Sequence, residues 1–310
     1  MKFYIAEPRV NDGKYTYYSN LVKELYLNEE CIALNSLGDC LLNCSPDDYI
    51  FLGLGFFEQF DSEAFFSKKL HACSFIKKSP AKKIAYIHKV KNKYEDKIEF
   101  CKLHGIDIIF TTTPLGEEIQ RDSGIKTCVL EYGSNPNIFK PLGLEKKYDI
   151  GFSGALHENK FGLDSQVKNL RVLCGQELKK RDDLKVFWNA SDSISKAYVP
   201  SITDYAQRIN ESKVWIAITG PAWDVNGRVS EVTLCKTTLL SNDIPKGHYD
   251  YFQDGVNCLR FKNDLSDFHE KIDQALASKD LISEKGYDLA IDKLTPNKIY
   301  QRLKSILSTL

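Results

Sequence analysis

The 310-residue chain sets 42 lysines and arginines against 42 aspartates and glutamates, so its net formal charge is zero, which excludes a dedicated nucleic-acid binder with its basic excess. Its length and 43% hydrophobic content support two globular domains, and the longest apolar run, 50–57, is too short to cross a bilayer. Nine cysteines without a Cys-x2-Cys pair exclude a zinc ribbon and read as reduced thiols of a cytoplasmic protein, and the opening apolar run is too short for a signal peptide.

Taken in order, 3–6 is a buried-type strand, followed by a polar loop over 7–14 that holds Pro8, Asp12 and Gly13. The spacing of Tyr18, Leu21 and Leu25 predicts a helix over 15–28. Strands follow at 31–34 and 49–54, then a helix over 62–78, a strand at 83–87 and a helix over 94–104. A strand at 107–111, a helix over 115–122 and a strand at 127–130 complete the first half. Short apolar strands alternating with helices predict a doubly wound parallel sheet. Gly53-Leu-Gly55 is not a dinucleotide fingerprint: Glu58 stands where the third glycine belongs, and the run follows a third strand, not the first.

Residues 132–141 are dense in turn formers, and 142–147 reads as a linker between a first domain, 1–142, and a second, 148–295. The second domain alternates again: strand 148–154 ending in a glycine loop, helix 164–181, strand 184–188, helix 205–212 and strand 214–218. After an acidic turn at 249–257 and a strand at 258–261, three amphipathic helices close the chain over 265–278, 281–292 and 297–310. The last of these is set apart from the second domain and expected to cross back to the first.

Between them lies the stretch that organises the second domain, Asn226-Gly-Arg-Val-Ser-Glu-Val-Thr-Leu-Cys-Lys-Thr-Thr-Leu-Leu-Ser-Asn242. Asn226-Gly227 is a turn signal, Val229, Val232, Leu234 and Cys235 share a helical face, and Leu239-Leu240 starts a strand. Arg228, Ser230 and Glu231 therefore fall on a first helical turn, where free backbone N–H groups attract anions.

Arg228-x-x-Glu231-x-x-x-Cys235-Lys236-Thr237-x-Leu239-Leu240 resembles the second-domain signature of the group-1 glycosyltransferases, which runs roughly Glu-Ala-x-Ala-Cys-Gly-x-Pro-x-Ile. The turn-rich 132–141, with Phe139 and Pro141, resembles their interdomain segment, and the chain is most similar to short divergent members with Arg three residues before the Glu. Lys236 and Thr238 stand where Gly and Pro are usual, and Trp223, with Asp224 beside it, stands where an earlier acidic residue is usual. The resemblance implies the GT-B fold: two Rossmann-like doubly wound parallel-sheet domains facing across a cleft. It implies a nucleotide-diphosphate sugar as donor on the second domain and a glycan or lipid-linked acceptor on the first.

By that resemblance Glu231 holds the donor ribose, and Ser153-Gly154 touches the phosphates. Arg228 suits the diphosphate because its planar donors bind two oxygens at once. The backbone N–H groups around Gly227 to Val229 are placed to add donors, with Asn226 as a further candidate binding residue. Lys160 is the candidate to neutralise the leaving diphosphate, His157 is an alternative lining residue, and Asp224 is a candidate sugar contact. The plain alternatives are a salt-bridged helix start for Arg228 and Glu231, a strand-end turn with a solvated lysine for 153–160, and a packing role for Trp223. If the reaction inverts, a base is needed on the first domain, and Asp12 and His88 both sit after strand ends. An Asx turn for Asp12 and a buried strand-end histidine for His88 are the bland readings. The chain has no Asp-x-Asp, the motif with which transferases of the other major fold hold a divalent ion, so neither a metal nor any other cofactor is expected. Residues 68–97 hold ten lysines against Glu95 and Asp96, with Phe65, Phe66 and Phe75 close by, which suggests peripheral contact with an anionic membrane or simply a solvated face. A GT-B-fold nucleotide-sugar epimerase and a non-catalytic nucleotide-sugar or glycan-binding protein are the rival readings.

Overall fold

A computed structural model describes residues 1–8, 17–34, 43–58, 74–88, 90, 93–156, 166–191, 201–219, 225–243 and 250–310. The chain divides into two compact units, Met1–Gly133 with Pro296–Leu310, and Ser134–Thr295. The turn-rich segment after Gly133 thus goes with the second unit, and the last helix goes with the first.

The first unit runs β1 (Phe3–Ala6), α1 (Tyr17–Asn28), β2 (Cys31–Ala33), β3 (Tyr49–Leu52), α2 (Leu54–Glu58), α3 (Ser74–Lys78), β4 (Lys82–Ile87), α4 (Tyr94–Leu103), β5 (Ile108–Thr111), α5 (Gly116–Ser123) and β6 (Lys126–Val129). The second runs β7 (Tyr148–Ala155), α6 (Gln166–Leu178), β8 (Val186–Ser191), α7 (Ile202–Asn210), β9 (Ser212–Ala217), α8 (Arg228–Leu234), β10 (Thr238–Asn242), β11 (Leu259–Phe261), α9 (Phe268–Ala277) and α10 (Lys279–Lys293). Helix α11 (Pro296–Leu307) completes the first unit.

Both sheets are wholly parallel, in the orders β2-β1-β3-β4-β5-β6 and β11-β10-β9-β7-β8. In each unit the first strand lies between the second and the third, so the winding reverses at β1/β3 and at β7/β9. Open α/β sheets bind ligands beyond the carboxyl ends of the strands at such a reversal. The fold class expected from sequence, two Rossmann-like parallel sheets, is the one observed.

Strand side chains alternate between faces, and in the first unit the alternation fills two cores. Tyr4, Ile50, Leu52, Ala85, Ile87 and Ile109 join Phe56, Phe57 and Phe100 on one face. Phe3, Ile5, Phe51, Ile84, Ile108 and Phe110 face Leu21, Val22 and Leu25 of α1 and Ile299, Leu303 and Leu307 of α11 on the other. This double burial is why the strands read as unbroken apolar runs. In the second unit Ile150, Phe152, Val214, Ile216, Leu240 and Leu259 pack under Leu170 and Cys174 of α6 and Phe268 and Ile272 of α9.

Three elements depart from the sequence expectation. Residue 54 opens α2 instead of ending a strand, because the Phe56 and Phe57 amides turn back onto the Gly53 carbonyl. Strand β8 is shifted toward 191, since its register on β7 carries pairing through Asn189, Ala190 and Ser191. Helix α7 begins earlier, at Ile202, because Ser201 caps it by accepting the Asp204 amide at 3.0 Å. Of the helix expected over 62–78, only Ser74–Lys78 falls among the described residues.

Candidate functional site

The candidate site of the second unit is assembled where β7 and β9 end. Asn226 builds the turn that aims α8: its Nδ2 donates to the Ile218 carbonyl at 3.3 Å, and its Oδ1 accepts the Arg228 amide at 3.0 Å. The Val229 amide bonds the Asn226 carbonyl at 3.3 Å, and Ser230 Oγ donates to the Gly227 carbonyl at 2.8 Å. The amides of Arg228 and Val229 are thus already engaged. Helix α8 has only seven residues, so charge at this end comes from side chains more than from a helix dipole.

Those side chains stand together. Arg228 is half-buried, and its guanidinium lies over Gly154: a Cβ there would come within 2.8 Å of Arg228 Nη2. Gly154 lies inside β7, paired with Ala190, and not in a loop beyond the strand. What the glycine supplies is room for the guanidinium. Ser153 beside it is buried. Glu231, one turn after Arg228, is fully buried. The Tyr205 hydroxyl is close to both: burial first, then the Glu231 charge, raises the phenol well above its ordinary pKa, against an opposing pull from Arg228.

The turn-rich segment holds this cluster in place. Phe139 packs edge-on against Tyr205 at 6.1 Å between centroids, and Tyr205 packs edge-on against Trp215 at 5.7 Å. Ser134 Oγ meets Ser230 Oγ at 2.6 Å. Because the Ser230 proton goes to Gly227, Ser134 is the donor. Tyr205 and Ser134 were missed by sequence reasoning. The Phe139–Pro141 spacing marked their segment, but nothing local tied it to α8.

Beneath the cluster lies Arg171 of α6, 2% exposed. Its Nη1 donates to the Ala155 carbonyl, and its Nη2 donates to the carbonyls of Ile218 at 3.1 Å and Thr219 at 3.3 Å. Asn242 completes the floor: its Oδ1 accepts the Thr219 amide at 2.9 Å, and its Nδ2 donates to Thr219 Oγ1 at 3.2 Å.

The structure therefore brings together Gly154, Ser153, Asn226, Gly227, Arg228, Val229 and Glu231. Lys160, Asp224 and Asp12, with His157 and Trp223, lie outside the described residues. His88 follows β4 in the first unit and is 1% exposed; its Nε2 is 3.7 Å from Glu58 Oε1, and its carbonyl accepts from Lys97 Nζ at 3.4 Å. Of the described lysines in 68–97, Lys83 and Lys97 are buried, Lys82 is half-buried, Lys77, Lys78 and Lys93 are exposed, and Phe75 packs on the core. Among the described residues no helix is long and apolar enough to cross a membrane, and no three His, Cys, Asp or Glu side chains are grouped to hold a metal.

Residues 165–305 match a family model described as glycosyl transferase-like, which spans most of the second unit and most of α11. No curated protein matches the sequence. Solved structures match the fold. Anabaena HepE, solved with UDP and glucose, gives a TM-score of 0.60 at 11% identity over 100% of this chain and 99% of its own. Sucrose-phosphate synthase from Thermosynechococcus elongatus gives 0.59 at 10% identity over 99% and 98%. The pneumococcal O-GlcNAc transferase GtfA, solved with UDP and GlcNAc, gives 0.52 at 13% identity over 86% of this chain and 58% of its own. The family match contributes the glycosyl transferase-like domain, and the structural likeness contributes the GT-B fold. The chain has the GT-B fold, and its residues 165–305 resemble a glycosyl transferase-like domain.

Proposed function

We propose that the chain transfers a sugar from a nucleotide-diphosphate sugar, bound on the second unit, to a hydroxyl of a glycan or lipid-linked acceptor. The observation that carries this reading is the Gly154–Arg228–Glu231 cluster at the carboxyl end of the second sheet, whose Arg228 and Glu231 lie in the segment that matches the glycosyl transferase-like family. The UDP bound in HepE and in GtfA supports a nucleotide donor.

The chemistry assigns each group a task. Glu231 accepts hydrogen bonds from the ribose hydroxyls, held in place by Tyr205 and the α8 turn. Arg228 meets the diphosphate, and its charge matters most as the sugar–phosphate bond breaks and negative charge grows on the leaving group. The arginine supplies this stabilisation without a metal. Inversion would add a base on the acceptor hydroxyl, and His88, with Glu58 beside it, is the described candidate in the first unit.

The test is release of free nucleoside diphosphate from a panel of UDP-, GDP-, CDP- and TDP-sugars, with and without a glycolipid extract as acceptor. Release that needs acceptor is the expected result. Conversion of the sugar without release identifies an epimerase, and binding without either identifies a non-catalytic protein; both overturn the proposal.

A further inference from the structure

Arg171 is a buried cation with an unusual set of partners. Among the described residues its three hydrogen bonds all go to backbone carbonyls, at the end of β7 and just beyond β9, and its Nε has no partner there. These carbonyls flank the reversal of the second sheet, where the carboxyl ends of parallel strands turn oxygen atoms toward any ligand. Unaided, such an end repels a diphosphate. The Arg171 fork occupies those oxygens and leaves a net positive charge beneath them. Arg228 adds a second guanidinium one residue away along β7, over Gly154.

Two like charges so close are costly, and burying one costs more. Burial first, then the Arg228 charge, lowers the Arg171 pKa to about 9, still above neutral, so it remains a cation at pH 7. A mere brace between β7 and β9 needs donors but no charge; an amide would serve. A charge kept at this cost fits a site that an anion visits.

We infer that Arg171 is a positioning residue for the donor diphosphate: it neutralises the carbonyl oxygens at the β7/β9 reversal and, with Arg228, makes that reversal electropositive. It acts through the strand ends and through its field, without touching the phosphates. The inference rests on the second unit being the donor site.

The test separates charge from bracing with two variants. Arg171→Gln keeps donors and removes the charge; Arg171→Lys keeps the charge and removes the fork. Calorimetry measures each against UDP, or whichever nucleoside diphosphate the native chain binds best, and against the matching nucleoside. Loss of one buried charge from the field at the reversal predicts on the order of a tenfold fall in diphosphate affinity for Arg171→Gln, with nucleoside affinity nearly unchanged. Arg171→Lys keeps most of the native ratio of the two affinities. Equal losses for both ligands in Arg171→Gln, or an unchanged diphosphate affinity, overturn the inference while leaving the donor site intact. A native chain that binds no nucleoside diphosphate overturns the donor-site reading, and this inference with it. One check needs no variant: inorganic pyrophosphate must raise the melting temperature of the native chain, and no rise contradicts a site built to receive that anion.

Discussion

Gly154 shows how a missing side chain places a present one. A methyl at that position would displace the Arg228 guanidinium, which is the flexible end of a long side chain, and would meet the Phe152 ring at 3.3 Å, which needs to give by only a few tenths of an ångström, so the fold adjusts at little cost. Gly154→Ala should therefore lower nucleoside diphosphate affinity several-fold while changing stability by less than about 1 kcal/mol. Calorimetry and a urea melt measure the two, and native affinity in the variant would refute the placement of Arg228. Gly151 is the contrast: a methyl there would strike the Trp215 ring and Ser212 Oγ, both fully buried, so Gly151→Ala should destabilise by about 1–3 kcal/mol. Glu211 gives the pH dependence. Burial pushes its carboxyl up, but hydrogen bonds from Lys147, Gln207 and Arg208 outweigh it and hold the pKa below the ordinary value. A lowered folded-state pKa gives stability that is present above the unfolded pKa of about 4.3 and lost as pH falls through the folded value. Glu211→Gln should thus narrow the stability gap between pH 7 and pH 3, measured by urea denaturation; an unchanged gap would contradict it. Arg228 and Glu231 were legible in the sequence because both lie in one short stretch with a telling spacing. Arg171 was not, because its partners Ala155 and Thr219 are 16 and 48 positions away and an arginine within a helix looks solvated.

The elements were largely legible because a strand buried on both faces leaves an apolar run with turn formers on either side. β1, β5 and β11 stand close to where the periodicity put them. β8 was displaced because register with β7, not its own composition, decides where it stops. Helix α11 shows tertiary contacts deciding allegiance. Ile299, Leu303 and Leu307 enter the first unit's core beside α1, Tyr300 donates to Glu29 at 2.6 Å, Lys304 pairs with Glu29 at 2.7 Å, and Arg302 pairs with the buried Glu131. Leu303→Ala should cost about 2–5 kcal/mol and lower the unfolding midpoint of the first unit. Intrinsic fluorescence in urea would read it, and a wild-type midpoint would mean that α11 is dispensable to that core.

At the scale of the molecule, the same winding serves two sheets with opposite charges at their reversals. In the first unit the Glu7 carboxylate spans β1 and β3 by accepting the Gly55 amide at 2.7 Å, a position that Gly53 leaves open. In the second, Arg171 spans β7 and β9. The proposed anion-binding donor site belongs with the cationic reversal, and the family match covers most of that unit from residue 165 on. The direct measurement is thermal unfolding against UDP, GDP, CDP and TDP, for the native chain and for Glu231→Gln, which keeps the shape of the side chain and removes its charge. A ligand at about a hundred times its dissociation constant adds about 2.7 kcal/mol. One nucleotide should raise the melting temperature of the native chain by several degrees and that of Glu231→Gln far less. No shift with any nucleotide, or equal shifts in both proteins, would contradict a donor site built around Arg228 and Glu231.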